Sequence, residues 1–438
     1  MRSPGSGPPV TLPGPDPAVS RPVPRVTSFL TVVVCFAATT APTVLYSVWR
    51  AQMGFSATVQ TVVFAVYVAG LVPGLVVAGA LLHRLSPRRL MTAGTAVSVA
   101  AALVLAVAPT AAVLVLARLV QGVALGGVMA ASSAALYRAA PPRPREFTAL
   151  LITLTAAIGA SAGPVVAGML ADATGRGATA PMLGWAVLLA GCLMLLGAHG
   201  RTPVPDRRIG PDRGGGPAQG GGPAKGIRAE RGAADGTAGR PDPPADAGPR
   251  LAPRGLVMIS LTAGLSWGVV GIYQSVGPGL IGQALGVDSL TVLGGIVAIV
   301  LTVGGIVQIA TRRVPVPRAR RLGMGFLLLA ITAFAAVLLT GHLALALVAA
   351  LCAGVGHGFT YLSATHEVGE LIRRHPHRAG PWMSAYFAIA YLCLAVLTVT
   401  LGVLGDIWDL TSSALALMGA IAVGCLAMLF SGNRPVAR

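Results

Sequence analysis

Hydrophobic residues occur along this chain in long runs that are separated by short polar stretches. A helix that crosses the hydrocarbon core of a bilayer needs roughly 20 consecutive apolar residues. Twelve runs of about this length can be marked, at 26–49, 58–82, 90–109, 111–137, 147–170, 181–198, 256–282, 289–310, 323–340, 343–365, 382–404 and 412–430. The pattern predicts an all-α integral membrane protein with twelve transmembrane helices, for which the lipid bilayer is the main partner.

The composition agrees with a membrane protein and argues against a soluble one. Hydrophobic residues make up 54% of the chain and charged residues 11%, whereas soluble domains carry roughly 25% charged residues. The net charge of +18 does not indicate nucleic-acid binding, because the arginines lie in short loops between apolar runs. All five cysteines lie inside apolar runs and are predicted to pack as small hydrophobic side chains, so that no metal site is expected.

Polar segments divide the chain into parts. The first residues and a long central stretch are rich in Pro and Gly, and such segments cannot bury enough apolar surface to fold alone. The predicted parts are a disordered tail at 1–25, a six-helix bundle at 26–200, a flexible linker at 201–254, a second six-helix bundle at 255–431 and a tail at 432–438. No nucleotide-binding signature is present, and no cofactor is predicted.

Basic residues fall on alternate loops, and this sets the orientation of the helices. One side carries nearly all the arginines, in the linker and in clusters at 84–89, 138–145, 312–321 and 373–378. The other side carries only Arg50 and Arg176, with four aspartates. Since positive residues stay in the cytoplasm, both termini and the linker are predicted to be cytoplasmic. The many arginines beside a single lysine are typical of GC-rich bacterial genomes, so we expect a bacterial plasma membrane.

The arginine clusters also indicate an internal repeat. In each half, a basic loop follows the second apolar run and another follows the fourth. In transporters, two parallel six-helix repeats are related by an axis along the membrane normal and hold the substrate between them. We therefore predict two six-helix bundles related by such a pseudo-two-fold axis, with a small-molecule substrate bound between them.

Three local motifs resemble those of the major facilitator superfamily. The loop GALLHRLSPRRL, residues 79–90, is similar to the family's loop signature at Gly79, Arg84, Arg88 and Arg89. In the family, an aspartate of this loop helps to lock the two halves on the cytoplasmic side. His83 stands in its place here, so the resemblance does not extend to that lock.

The fourth and fifth spans carry the other two motifs. The fourth span, LARLVQGVALGG, resembles the family's fourth-helix motif at Arg118, Gln121, Gly122, Gly126 and Gly127. The fifth span, GASAGPVVAG, resembles the motif of exporters that exchange substrate for protons at Gly159, Gly163, Pro164 and Gly168. Small residues allow helices to approach closely, and a proline can kink a helix, so we expect a moving interface here. The resemblance implies proton-coupled efflux of a drug or another small molecule.

Four residues are candidates for coupling transport to protons. Arg118 lies inside an apolar span, where a charge costs several kcal/mol unless it meets a polar interior or a partner. His357 is the titratable residue closest to the middle of a span, and an imidazole changes charge near physiological pH. Glu367 and Asp406 lie near the ends of the tenth and eleventh spans. Each also has an ordinary structural interpretation: a hydrogen-bonded arginine, a neutral packed histidine, or a solvated charge at a helix end.

Polar-tipped side chains inside the spans predict the wall of a substrate cavity. Cavities for small molecules are mostly apolar, with a few placed polar groups. The candidates are Tyr46, Gln121, Trp267, Gln274 and Tyr361. Trp267 and Gln274 are seven residues apart and therefore share one face of a helix.

The leading functional prediction is a monomeric, proton-coupled exporter of a small amphipathic compound. A cationic substrate would need a buried carboxylate, and an anionic one would need more than one buried cation; the apolar spans supply neither clearly. Uptake of a small polar metabolite, such as a sugar, nucleoside or organic acid, is an alternative. A membrane scaffold or an intramembrane enzyme is a more distant one. We expect no enzymatic activity, because no acid–base or nucleophile constellation occurs at membrane depth.

Overall fold

The structure, a computed structural model, describes residues 25–139, 145–198, 254–375 and 378–431. Within these residues all regular secondary structure is helical, and short turns and loops connect the helices. The helices are α1 (Arg25–Thr40), α2 (Tyr46–Met53), α3 (Ala57–Leu81), α4 (Pro87–Ala106), α5 (Ala111–Ala139), α6 (Arg145–Thr174), α7 (Thr179–Ala198), α8 (Arg254–Ser275), α9 (Gly277–Leu285), α10 (Leu290–Ala310), α11 (Val316–Thr340), α12 (Leu343–Arg374), α13 (Ala379–Ile407) and α14 (Leu410–Ser431). A 3₁₀ turn (Ala41–Val44) follows α1.

Twelve of these helices are long and apolar enough to cross a membrane: α1 with its 3₁₀ turn, α3 to α8, and α10 to α14. The predicted fold class is therefore confirmed. Large apolar side chains such as Val187 and Met194 are about 70% exposed, as expected where a helix faces lipid rather than water. The predicted tails and most of the predicted linker lie outside the described residues.

Two of the predicted runs contain one membrane-crossing helix each, as predicted, but both runs continue into a short separate helix that the apolar pattern did not indicate. The run 26–49 becomes α1, the 3₁₀ turn and α2, and the run 256–282 becomes α8 and α9. Pro42 and Pro278 lie in the first turn after each break. Proline has no backbone N–H and is best tolerated at the start of a helix, where that group would have no intrahelical partner.

The two short helices α2 and α9 also end in the same way. Each ends at a glycine with positive φ, Gly54 at 66° and Gly286 at 62°. Residues with a side chain rarely adopt this conformation, so glycine lets the chain turn sharply into the next span. The break, the short helix and the glycine thus occur at the same place in both halves.

Helix packing repeats with a period of six spans. In the first half α3 packs on α5, α4 packs on α5 and α7, and α1 packs on α6. In the second half α10 packs on α12, α11 packs on α12 and α14, and α8 packs on α13. Between the halves, α6 packs on α10 and α13 packs on α3. A shift of six spans exchanges these two contacts, as a two-fold relation between the halves requires.

The two ends of the bundle differ in charge. One end carries Asp172, Asp288, Asp406 and Asp409 and is called the aspartate end below. The other carries the arginine clusters at 84–89 and 312–321 and is called the arginine end. Arg88 ties α4 to α7 at the arginine end, because its Nε and Nη2 donate to the carbonyl oxygen of Leu196 at 3.1 and 2.7 Å.

Candidate substrate site between the two halves

A cavity of about 300 Å³ lies between the two halves, and both halves line it. The polar and aromatic side chains of its wall are Phe36, Thr39, Thr40, Tyr67, Trp267, Gln274, Gln308, His357, Tyr361 and Tyr391. Aliphatic side chains and small residues form the rest of the wall. Among the described residues that line the cavity, none is Asp, Glu, Lys or Arg. The wall therefore combines apolar surface with neutral hydrogen-bonding groups, as small-molecule sites commonly do.

Aromatic rings from three helices of the second half form one cluster on this wall. The Trp267 ring lies 4.9 Å from the His357 ring, 5.9 Å from Tyr361 and 5.5 Å from Tyr391, measured between centroids. The rings of His357 and Tyr361 stack, with an angle of 25° between their planes. Edge-to-face and offset ring contacts of this kind stabilise one arrangement of the side chains. The cluster forms a well-packed aromatic wall on the side of the cavity that the second half lines.

His357 is held in this cluster by a hydrogen bond. Its Nδ1 lies 2.7 Å from Oγ of Ser266, a fully buried residue of α8. Only 6% of His357 is exposed. This hydrogen bond occupies one ring nitrogen and fixes the orientation of the imidazole. Among the described residues, His357 is the only histidine on the cavity wall.

Arg118 lies behind the wall on the side of the first half, and 2% of it is exposed. Its Nη1 donates to the carbonyl oxygen of Thr39 at 2.7 Å and to Oε1 of Gln121 at 2.6 Å. Its guanidinium carbon lies 4.5 Å from the centroid of the Tyr67 ring, within the range of a cation–π interaction. None of the salt bridges found in the described part of the chain includes Arg118.

The break after α1 supplies the acceptors for this arginine and its neighbour. Pro42 has no N–H with which to bond the Ala38 carbonyl one turn earlier, and Nε2 of Gln121 donates to that oxygen at 3.1 Å instead. The freed carbonyls form the negative end of α1, where a cation is favourable. Arg118 and Gln121 therefore hold the end of α1 against α5, beside the cavity.

The predicted cavity residues fall into two groups. Trp267, Gln274 and Tyr361 lie on the wall. Tyr46 and Gln121 lie behind it: Tyr46 packs against Trp49 and Phe64, and Gln121 bonds Arg118. Sequence reasoning missed Gln308, although it is an amide inside an apolar run just as Gln274 is. It also missed Thr39 and Thr40, whose position just before Pro42 was the available signal.

Two of the coupling candidates lie away from the cavity. Glu367 accepts a hydrogen bond from Nη1 of Arg320 at 3.3 Å, and both belong to the second half near the arginine end. Asp406 lies at the aspartate end, where its carboxylate accepts hydrogen bonds from Ala57 N and Thr58 N of α3. Each carboxylate therefore has a local partner that stabilises its negative charge without any role in the cavity.

The motif residues of α6 form close helix contacts on both of its sides. A Cβ atom on Gly159 or Gly163 would collide with backbone or side-chain atoms of α1. A Cβ atom on Gly168 would collide with the backbone of Leu290 at the start of α10, and the Pro164 carbonyl lies against Gly294 of α10. α6 therefore joins α1 of its own half to α10 of the other half.

The loop motif is placed differently. His83, Arg84, Arg89 and Gly79 are exposed at the arginine end, and Gly79 faces open space. The Arg88 side chain is half-buried and donates hydrogen bonds to carbonyl oxygens of α7, so its contacts stay within the first half.

Twelve membrane-crossing helices in two matching halves, with a cavity lined by both, define a membrane transport protein. The chain belongs to the major facilitator superfamily, whose family model matches residues 27–380. No curated protein matches the sequence.

Solved structures resemble the chain over nearly its whole length. A bacterial homolog of the human lysosomal transporter Spinster, in an inward-facing and occupied conformation, aligns with a TM-score of 0.70 at 15% identity, covering 94% of this chain and 96% of that one. The nucleoside transporter NupG aligns with a TM-score of 0.66 at 12% identity, covering 94% of this chain and 98% of that one. At such identities the likeness establishes the fold alone.

Proposed function

We propose that this transporter exports a small amphipathic organic compound by alternating access, in exchange for protons, and that the cavity between the halves is its substrate site. The observation that carries the proposal is the cavity wall itself, since both halves contribute to it. A site shared by two bodies opens to opposite sides of the membrane when the bodies rock against each other. The resemblance of α6 to the exporter motif supports the outward direction.

The charges around the cavity favour a neutral or weakly acidic substrate over a cationic one. The described lining residues carry no carboxylate that could hold a cation. The positive charge of Arg118 lies directly behind Tyr67, without an acidic partner in any of the salt bridges described. In surroundings of low dielectric constant such a charge acts over several ångströms and repels a cation in the cavity. The aromatic cluster around Trp267 supplies surface for an apolar or aromatic part of the substrate.

His357 is the proposed proton site. It lies on the cavity wall between Ser266 and Trp267, where a bound substrate and a bound proton would compete or cooperate directly. Glu367 and Asp406 are less favoured for this role, because each carboxylate already has a local partner. Glu367 pairs with Arg320, and Asp406 accepts hydrogen bonds from the start of α3. Arg118 is assigned to positioning the end of α1 and to setting the charge at the cavity.

Uptake of a small polar metabolite is the second candidate function. It is favoured by the neutral hydrogen-bonding groups of the wall: Gln274, Gln308, Thr39 and Thr40. Amides and hydroxyls of this kind would bond the edge of a polar ring or a sugar. One of the similar structures is described as a nucleoside transporter, which gives this candidate a defined panel of compounds.

The charge asymmetry between the two ends supports an arginine end in the cytoplasm, with both termini on that side of a bacterial plasma membrane. Both halves that line the cavity belong to the same chain, so a monomer already contains the two bodies that alternating access requires, which supports a monomer as the working unit.

Replacing His357 with glutamine is expected to abolish proton movement while leaving substrate binding in place. Glutamine keeps a hydrogen-bonding side chain at this position but cannot take up a proton near neutral pH. Everted membrane vesicles with a pH-sensitive dye would report collapse of an imposed gradient as compounds of an amphipathic panel are added. Pro164→Ala would be measured in parallel to test the exporter motif.

The matched control is His342→Gln, at an exposed histidine whose Nδ1 lies 2.7 Å from the Thr340 carbonyl oxygen near the aspartate end. It should leave the dye signal unchanged. If His357→Gln couples protons as well as the parent, His357 is not the proton site. If the parent moves no protons with any exported compound but accumulates nucleosides or sugars in whole cells, the uptake function replaces export.

A further inference from the structure

Asp172 joins the two halves at the aspartate end of the bundle. It lies in the last turn of α6, in the first half, and its carboxylate accepts four hydrogen bonds from the start of α10, in the second half. The donors are Ser289 Oγ at 2.8 Å, Leu290 N at 3.0 Å, Thr291 N at 3.0 Å and Thr291 Oγ1 at 2.7 Å. The first turn of α10, in the second half, is therefore capped by a side chain of the first half.

Asp406 makes the corresponding contact in the opposite direction. It lies near the end of α13, in the second half, and accepts hydrogen bonds from Ala57 N at 2.7 Å and Thr58 N at 3.0 Å. Both donors belong to the first turn of α3, in the first half. A shift of six spans exchanges α6 with α13 and α10 with α3, so the two contacts are the same contact built twice.

The sequence repeats this arrangement. Gly-x-Leu-x-Asp occurs at 168–172 and again at 402–406, and Ser-x-Thr-Val occurs at 56–59 and again at 289–292. The two glycines bring the helices together. A Cβ atom on Gly168 would collide with the Leu290 carbonyl, and a Cβ atom on Gly402 would collide with Oγ1 of Thr61. Each aspartate lies one turn beyond its glycine, where the facing helix begins.

These caps suit a contact that must form and break. The first N–H groups of a helix have no partner within the helix, and a carboxylate placed there is stabilising. The helices also have caps of their own, because Ser56 Oγ accepts from Val59 N and Ser289 Oγ accepts from Val292 N. α3 and α10 can therefore keep their first turns when the aspartates of the other half move away.

A second pocket lies at the aspartate end, close to the central cavity. That pocket, of about 420 Å³, is lined by Ser47, Arg50, Gln60 and Val276 among others. Gln274 lines the central cavity, so the residues that line the two spaces are here only two positions apart, at the end of α8. Nε2 of Gln60 donates to the Ser275 carbonyl at 2.8 Å at this point.

We propose that Asp172 and Asp406 are the paired latches of the gate at the aspartate end, and that both caps break when the cavity opens to that side. The proposal rests on alternating access of the cavity, as proposed above, and is independent of the substrate and of the coupling ion. Asp172 and Asp406 are positioning residues for the closed state rather than parts of the substrate site.

The test measures access to the cavity without any substrate. Ala160→Cys places a thiol on the cavity wall of the full-length protein, and a membrane-impermeant maleimide is added separately to right-side-out and to inside-out vesicles. Loss of one cap, in Asp172→Asn or Asp406→Asn, should raise labelling from the aspartate side about threefold, and loss of both about tenfold. Labelling from the arginine side should fall in parallel. The chain without the added cysteine gives the baseline from the five native cysteines.

Asp409→Asn is the matched control. Asp409 lies on the same side, three residues from Asp406, but it accepts from Ser412 N at the start of its own neighbouring helix α14. It should label like the parent. A membrane-permeant maleimide confirms that each variant carries a reactive thiol, and a single gel-filtration peak in detergent confirms that it is folded. If the double variant labels like Asp409→Asn from both sides, the latch proposal is wrong. If the double variant opens the cavity but the parent protein transports no compound of the panel, the latches stand and the proposed function fails.

Discussion

Alanine at Gly126 is expected to lower the free energy of unfolding by about 2 to 3 kcal/mol, the upper part of the range for overpacked cores. A Cβ atom there would collide with the Leu71 carbonyl and lie 2.6 Å from Leu75 N. Both are backbone atoms of α3 and cannot turn aside as a side chain would. Unfolding in mixed detergent micelles, followed by tryptophan fluorescence, would measure the change.

The neighbouring glycine provides the control. A Cβ atom on Gly127 would meet nothing within 4 Å, and alanine is favoured over glycine within a helix by roughly 0.5 to 1 kcal/mol. Gly127→Ala should therefore unfold at the same detergent fraction as the parent or at a higher one. If Gly126→Ala is as stable as Gly127→Ala, the α3–α5 contact is not as close as described.

Methionine at Arg118 is expected to abolish transport while changing the free energy of unfolding by no more than about 2 kcal/mol. Among the salt bridges of the described residues, none gives Arg118 a carboxylate partner. Removing such a buried charge offsets much of the cost of losing its hydrogen bonds. Transport should fail because the end of α1 loses its tie to α5 and the cavity loses the positive charge behind Tyr67. Uptake into everted vesicles and detergent unfolding, measured on the same preparation, would separate the two effects.

Arg118→Lys distinguishes the charge from the shape of the side chain. Lysine keeps the positive charge but lacks the planar group that bonds Thr39 and Gln121 while it stacks on Tyr67. Partial transport by the lysine variant is expected. A methionine variant that transports at the parent rate would show that Arg118 serves folding alone.

The course of the first span shows where sequence reasoning reached its limit. The apolar run 26–49 is long enough to cross the membrane as one helix, and length and hydropathy contain no further information about its interior. Pro42 was the local signal for the break, since proline removes a helical hydrogen bond. The partner that makes the break tolerable, Gln121, lies 83 positions away from Ala38 in sequence, and nothing local to either residue indicates the pairing.

The aspartate caps show a different limit. Asp172 and Asp406 were visible in the sequence as charges near the ends of spans, and the repeated Gly-x-Leu-x-Asp pattern was readable. A carboxylate at a helix end is usually solvated, so position alone does not distinguish a free charge from a cap on another helix. Only the packing of α6 on α10 and of α13 on α3 gives each aspartate its donors.

The sequence by itself determined the class of the protein, the twelve helices and their two-fold repetition, because membrane insertion depends on the length and polarity of consecutive residues. It also indicated some residues of the cavity wall, such as Trp267 and Gln274, since a polar group inside an apolar span needs a reason to be there. The tertiary structure decided which of these side chains share one cavity, that Arg118 lies behind its wall, and that Asp172 and Asp406 cap helices of the opposite half. Contacts of this kind join residues far apart in sequence, and they exist only once helix packing has fixed which faces meet.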